Sequence, residues 1–298
     1  MQERIRPQAG KLLSAARRVL EIMESALPPE HRAPPAPDPR FTPGCRFHGR
    51  GVDNFDAKLA SAGLPSILTL IDERLRKRGR CRILETGCGE GRLLLELLET
   101  FGKRVELHGS NYEKDPVLVG SEPLLRTNEH YRVMSATRLR ILPQPTLYLA
   151  DLQDMRGVPA GGFDFILSQT MMHHVPNKAR ALEESARLLA PEGTFLHELD
   201  SIDLPPAEFL DTDMPRFTIF KGEERISSSA YLRGRGIDVR SCERHGVQGY
   251  FGVYQKAAGP LRLDLELDPK ATGSLHLVVA ATAPFRVWGT RSVYHLAD

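Results

Sequence analysis

The chain has 298 residues, with 40 Lys and Arg against 38 Asp and Glu, so a formal net charge of +2 marks neither an acidic nor a basic partner. A hydrophobic fraction of 41% and a charged fraction of 26% are ordinary for a soluble globular protein, long enough for one large α/β domain with appendages or two small domains. No apolar run approaches the roughly 20 residues that cross a bilayer, and the polar, helically spaced first residues predict no signal peptide. A cytoplasmic location without membrane attachment is therefore expected. The cysteines Cys45, Cys81, Cys88 and Cys242 are scattered with no C-x-x-C pair. They fit neither a zinc site nor a disulfide framework, so no metal is expected.

Residues 11 to 27 place Leu12, Ala16, Val19, Leu20, Met23 and Leu27 on one helical stripe, stopped by Pro28 and Pro29. Pro34, Pro35, Pro37 and Pro39 then make an extended connector. Residues 1–52 thus read as a helix and linker that either cover the rest of the chain or pair with a second copy as a homodimer. Asp53 is placed to cap a short helix through Leu59. Pro65 suits the first turn of the next, whose stripe is Ile67, Leu68, Ile71 and Leu75. That helix ends on Arg74, Arg76, Lys77, Arg78 and Arg80. Cations there complement the helix dipole, which explains the cluster better than a nucleic-acid patch does.

From Ile83 the pattern alternates regularly. Ile83 and Leu84 lead through Glu85 into a loop of Gly87, Gly89 and Gly91, and a leucine-rich helix follows from Arg92. Glycines allow the sharp strand-to-helix turn and let a ligand approach the backbone. Further strands are predicted at Val105–His108, Thr146–Ala150, Phe163–Leu167 and Thr194–Leu199. A helix capped by Asn177 carries Leu182, Ala186, Leu188 and Leu189 and closes at Pro191 and Gly193. Two long segments, 112–145 and 201–226, interrupt the alternation and read as insertions. Ile237–Arg240 and Tyr250–Gln255 are the last two strands of the series. Leu261–Leu267, Leu275–Ala281 and Phe285–Trp288 suggest a small β-rich extension over 258–298.

Strands alternating with helices imply parallel pairing through right-handed crossovers. The expected fold is α/β: a doubly wound, Rossmann-like seven-stranded sheet over 53–257, with an N-terminal helical cap and the C-terminal β extension. Ligands in such sheets lie beyond the carboxyl ends of the strands, where Glu85, Asn111, Asp151 and Gln169 fall.

The order of motifs resembles the class I S-adenosylmethionine (SAM) methyltransferases of small-molecule type. Glu85-Thr86-Gly87-Cys88-Gly89-Glu90-Gly91 is similar to their motif I, spaced G-x-G-x-G rather than the dinucleotide G-x-G-x-x-G. Ala150-Asp151-Leu152, Phe163-Asp164-Phe165-Ile166 and Leu188-Leu189-Ala190-Pro191-Glu192-Gly193 follow in the family's order, with Glu192 replacing a glycine. Gly249–Val253 matches its antiparallel last strand. The resemblance implies SAM as cofactor, with Glu85 on the methionine amino group and Gly87, Gly89 and Gly91 against the cofactor. Asp151 would meet the adenine amino group with the Leu152 backbone nearby, and Gln169 would share the site. The family usually grips the ribose with an acid where this chain has Asn111, which can accept one hydrogen bond; Glu113 is a substitute.

His173 and His174 in SQTMMHHVPN are candidate bases or scaffold residues. The absence of an N/D-P-P-Y/F motif after the fourth strand disfavours a nucleic-acid substrate. The leading expectation is methyl transfer to a small molecule in biosynthesis. The alternatives are closure of SAM's aminobutyrate part to azetidine-2-carboxylate with release of methylthioadenosine, and a non-enzymatic SAM-binding protein.

Overall fold

Leu84, Ile166 and Phe195 point to one face of a central sheet, and Ile83, Phe165 and Leu196 to the other; all are at most 4% exposed. Such strands are covered on both sides, as parallel strands must be. The computed structural model describes residues 50–112, 121–202, 213–244, 247–274, 277–279, 285–287 and 290–296. The expected N-terminal helix and proline connector, and Glu113, lie outside them.

Helix α1 spans Val52–Ser61 and α2 spans Ile67–Arg78. Asp53 does not cap α1. Gly51 holds that position, and Asp53 in the first turn instead faces Arg92 at 3.4 Å. The Val52 N–H is accepted by the Glu96 carboxylate at 2.6 Å. Likewise Pro65 precedes the cap of α2 rather than entering its first turn, because the Ser66 hydroxyl accepts from Leu68 and Thr69. Gly79, at φ +73°, ends α2.

The sheet begins with β1 (Cys81–Thr86), followed by α3 (Arg92–Phe101) and β2 (Val105–Asn111). Two helices then fill part of the long segment, α4 (Ser121–Tyr131) and α5 (Ala136–Ile141), before β3 (Thr146–Leu149). Tyr131 of α4 lies 4.4 Å from the Arg92 guanidinium, which fastens α4 over the start of α3. β4 (Phe163–Ser168), α6 (Lys178–Leu188) and β5 (Leu189–Ile202) complete the parallel part. Asn177 caps α6 through Arg180 N–H, as its sequence position predicted.

The strand order is β3-β2-β1-β4-β5-β9-β8, with β8 (Asp238–Arg244) and β9 (Val247–Gln255). The first five strands are parallel, while β9 is antiparallel to both β5 and β8. This is the expected seven-stranded sheet, and the direction of winding reverses between β1 and β4. Helices α1, α2 and α3 pack on one face and α6 on the other.

The described parts of the two outlying segments share a sheet. β6 (Phe217–Lys221) and β7 (Glu224–Ile226) form a second, five-stranded sheet with β10 (Leu265–Leu267), β11 (Gly273–Ser274) and β14 (Thr290–Leu296). A short hairpin pairs β12 (Leu277–Val279) with β13 (Phe285–Val287). Helix α7 (Ser228–Gly234) joins β7 to β8. Alternation over 261–267 signalled burial more than pairing. Leu261 and Leu263 are buried, but the Leu263 backbone bonds to the side chains of Glu183 and Tyr231 rather than to a strand.

Within β5, between the residues that pair with Phe163 and Phe165, the register shifts and Glu192 takes φ +61°. A residue with a Cβ loses about 1–2 kcal/mol in that region. The side chain's exposed ion pair with Arg78 returns less than about 1 kcal/mol. Glu192→Gly is therefore expected to raise stability by less than about 1 kcal/mol after glycine's greater unfolded-state entropy is counted. Urea unfolding checks this, and a destabilised variant would contradict it.

Candidate functional site

The carboxyl ends of β1 and β4 meet where the winding reverses, which is the crevice such sheets offer a ligand. Glu85, next to last in β1, is only 4% exposed, yet its Oε2 has no hydrogen-bond partner among the described residues. Burial, with Glu96 nearby, holds this carboxyl well above the usual carboxylate range. Gln169, just past β4, is in a similar position. Its Nε2 donates to the Arg50 carbonyl at 3.4 Å, while its buried Oε1 is unpartnered among the described residues. Two buried acceptors without donors are costly, and such orphans mark a place where another group belongs.

Between β1 and α3, Gly87, Gly89 and Gly91 take φ values of +65°, +53° and +76°. Asn111, at the end of β2, braces this loop from inside. Its Oδ1 accepts the Gly89 N–H and its Nδ2 donates to the Gly89 carbonyl, both at 2.8 Å. The residue expected to face a ribose therefore also fixes the shape of the glycine loop. Cys88 is buried, and burial with Glu85 pushes its thiol well up, so it serves as a small packing residue and not a nucleophile.

Asp151 follows β3, with its carboxylate accepting from the Gln153 backbone at 2.9 Å and from the Gln153 amide. Leu152 is buried beside it. His173 and His174 lie on a short 3-10 turn, Met172–His174, with ring centroids 4.1 Å apart. His173 is buried, and burial with the neighbouring His174, Arg216 and Lys178 pulls it well below the usual histidine range. Its ring is thus neutral at pH 7, with Nδ1 unpartnered among the described residues. His174 is exposed. Among the described residues no group of three His, Cys, Asp or Glu is placed to hold a metal.

Several charged residues of this region stood out less in the sequence. Lys58 of α1 and Glu198 of β5 form a buried ion pair, and Glu198 Oε2 also accepts the Thr170 N–H at 2.7 Å. Burial lowers the Lys58 ammonium against the opposing pull of Glu198. A signal for both existed: Lys58 stands three residues after Phe55 on the apolar stripe of α1, and Glu198 sits within an otherwise buried strand. His197, in the same strand, is a core residue. Its ring nitrogens meet Ser168 and Ser185, and burial takes it down to about 3.

The site residues fit SAM. The α-ammonium of its methionine part could supply the donor that Glu85 and Gln169 lack, and the glycine loop leaves backbone open at Gly89, where an added Cβ would meet nothing within 4 Å. A family model described as a methyltransferase domain matches residues 53–227. Among curated proteins no sequence matches the chain. Solved structures similar to it include an arsenic(III) SAM methyltransferase from Chlamydomonas reinhardtii, at 18% identity and TM-score 0.39 over 60% of this chain and 64% of that one. A SAM-dependent methyltransferase from Methanosarcina mazei is 18% identical at TM-score 0.39, over 60% of this chain and 94% of that one. An O-methyltransferase family protein from Burkholderia thailandensis is 12% identical at TM-score 0.39, over 70% of this chain and 60% of that one.

Proposed function

Because the chain belongs to the class I SAM-dependent methyltransferase family, matched over residues 53–227, we propose that it methylates a small-molecule acceptor. The observation that carries this reading is that the buried Glu85 Oε2, near the carboxyl end of β1, and Gln169 Oε1, just past β4, both lack a partner among the described residues. A cationic amine held there would satisfy both oxygens and restore the charged form of Glu85. Asn111 keeps the glycine loop in the shape that receives the rest of the cofactor, and Asp151 with Leu152 holds its adenine end.

Bound SAM supplies an already activated methyl group, so the protein's work is orientation and exclusion of water. His173, whose Nδ1 has no partner among the described residues, is the candidate to take the acceptor's proton where the nucleophile carries one, although its burial opposes the charge it would gain. The exposed His174 has no such role. Helices α4 and α5 and the β6–β7 hairpin, from the two long segments after β2 and β5, are the described candidates for the acceptor's cover.

A small acceptor is favoured over nucleic acid by the fate of the basic cluster. Arg74 and Arg78 face Asp164, and Arg78 also meets Glu192. Asp164 lies at the start of β4, so these cations sit at the sheet edge opposite the glycine loop.

Calorimetry with S-adenosylhomocysteine is the test. Binding is expected, with Glu85→Ala weakening it about 10- to 100-fold for the loss of a charged hydrogen bond. No binding by the unaltered chain would sink the cofactor assignment. SAM incubated with the protein alone is expected to survive. Methylthioadenosine appearing without an acceptor would replace methyl transfer by cyclisation.

A further inference from the structure

Thr170 follows Gln169 directly and has φ +49°, a conformation that a β-branched residue rarely holds. Strain of this kind persists only where surrounding groups enforce it, and it gathers at functional segments. The enforcing group here is Glu198. Its Oε2 accepts the Thr170 N–H at 2.7 Å and simultaneously receives Lys58 Nζ. Lys58 and Glu198 are 5% and 3% exposed, so both charges are removed from water and depend on one another.

The anchor at the far end is rigid. Phe55 and Leu59, which flank Lys58 on α1, are fully buried, and Phe55 packs edge-on against Phe251 of β9 at 5.7 Å. The β5–β9 register is irregular between Glu198 and Asp200. That irregularity lets the two carboxylates serve opposite faces: Glu198 meets α1, while Asp200 meets Arg216, which directly precedes β6 of the second sheet. Irregularities of this type commonly re-aim side chains beside sites. The segment so held runs from Gln169, with its unpartnered Oε1, to Met171, whose side chain lies against Gly87.

We propose that Lys58 and Glu198 are positioning residues that hold Thr170 in its strained conformation, and thereby set Gln169 and Met171 against the cofactor loop. The proposal rests on the SAM reading above only for the ligand. The relay from α1 through β5 to the turn after β4 is a property of the chain itself.

The test compares two charge-free variants that differ in a single acceptor. Lys58→Met with Glu198→Gln retains an oxygen for the Thr170 N–H; Lys58→Met with Glu198→Met does not. Hydrogen–deuterium exchange on the free protein is expected to show peptides covering 169–174 exchanging at least tenfold faster in the second variant than in the first. The dissociation constant for S-adenosylhomocysteine is expected to rise about tenfold in the second variant only. Adding Thr170→Asn, a residue that tolerates this backbone region, should recover most of both effects. A merely structural pair would lower melting temperature in both variants without that recovery. Equal exchange in the two variants overturns the proposal, and so does a loss that Thr170→Asn leaves unchanged. If the unaltered chain binds no S-adenosylhomocysteine, the cofactor reading fails by itself and exchange still decides the relay.

Discussion

Replacing Arg216 by methionine is expected to destabilise the protein by about 3–5 kcal/mol at neutral pH, the usual cost of leaving one partner of a buried ion pair. Arg216 Nη1 lies 2.5 Å from Asp200 Oδ1, and the Arg216 N–H donates to Asp200 Oδ2 at 2.9 Å. Both side chains are essentially without exposure. Asp200 lies in β5 of the seven-stranded sheet and Arg216 directly precedes β6 of the second, so the pair joins them. Lys178 reinforces the join, since its ammonium donates to Thr290 O at 2.7 Å and to Ser292 Oγ at 3.0 Å.

The loss should also depend on pH. Burial raises the Asp200 carboxyl above its ordinary value, while Arg216 opposes the rise. Without Arg216 the folded-state value climbs further. A carboxyl raised on folding contributes its stability in full below the unfolded value and loses it as pH rises through the folded one. The deficit of Arg216→Met should therefore be large near pH 8 and shrink towards acid, where Asp200 is protonated. Adding Asp200→Asn should recover much of it, because no buried charge then lacks a partner. Urea unfolding at several pH values measures this; a deficit below 1 kcal/mol, or one flat with pH, would count against it.

Gly87→Ala is expected to lower stability by about 2–4 kcal/mol and to weaken S-adenosylhomocysteine binding about 100-fold or more. Two costs add. Alanine is strained at φ +65°. Its Cβ would also lie 2.3 Å from Met171 Cγ and 2.8 Å from Met171 Cβ. Contact so near the Met171 backbone cannot be relieved by swinging the far end of the side chain, so residues 170–172 must move with the loop. Gly89→Ala is the control, since nothing lies within 4 Å of an added Cβ and only the backbone cost of about 1–2 kcal/mol applies. Equal destabilisation by the two substitutions, read from melting curves and calorimetry, would show that the Met171 contact is unimportant.

Much of this protein is legible in local pattern. The short apolar runs Ile83–Leu84 and Phe165–Ile166, the Asn177 cap and the glycine spacing after Glu85 each depend on residues a few positions apart. They were enough for the seven-stranded sheet and the family. The Asp53 and Pro65 expectations missed by one or two residues, because Gly51 and Ser66 took the capping positions through contacts that neighbouring sequence does not specify.

Tertiary structure alone decided the rest. Segments 201–226 and 258–298 share a sheet because β6 found β14, and Asn111 turned inward because Gly89 stands opposite it. Lys58 reaches Glu198 across 140 positions of chain. Pairings over such distances are set by which buried charges and unpaired backbone groups the folded core brings together. The sequence on its own determined the sheet and the glycine loop at its edge; only the packed core determined how that edge is held.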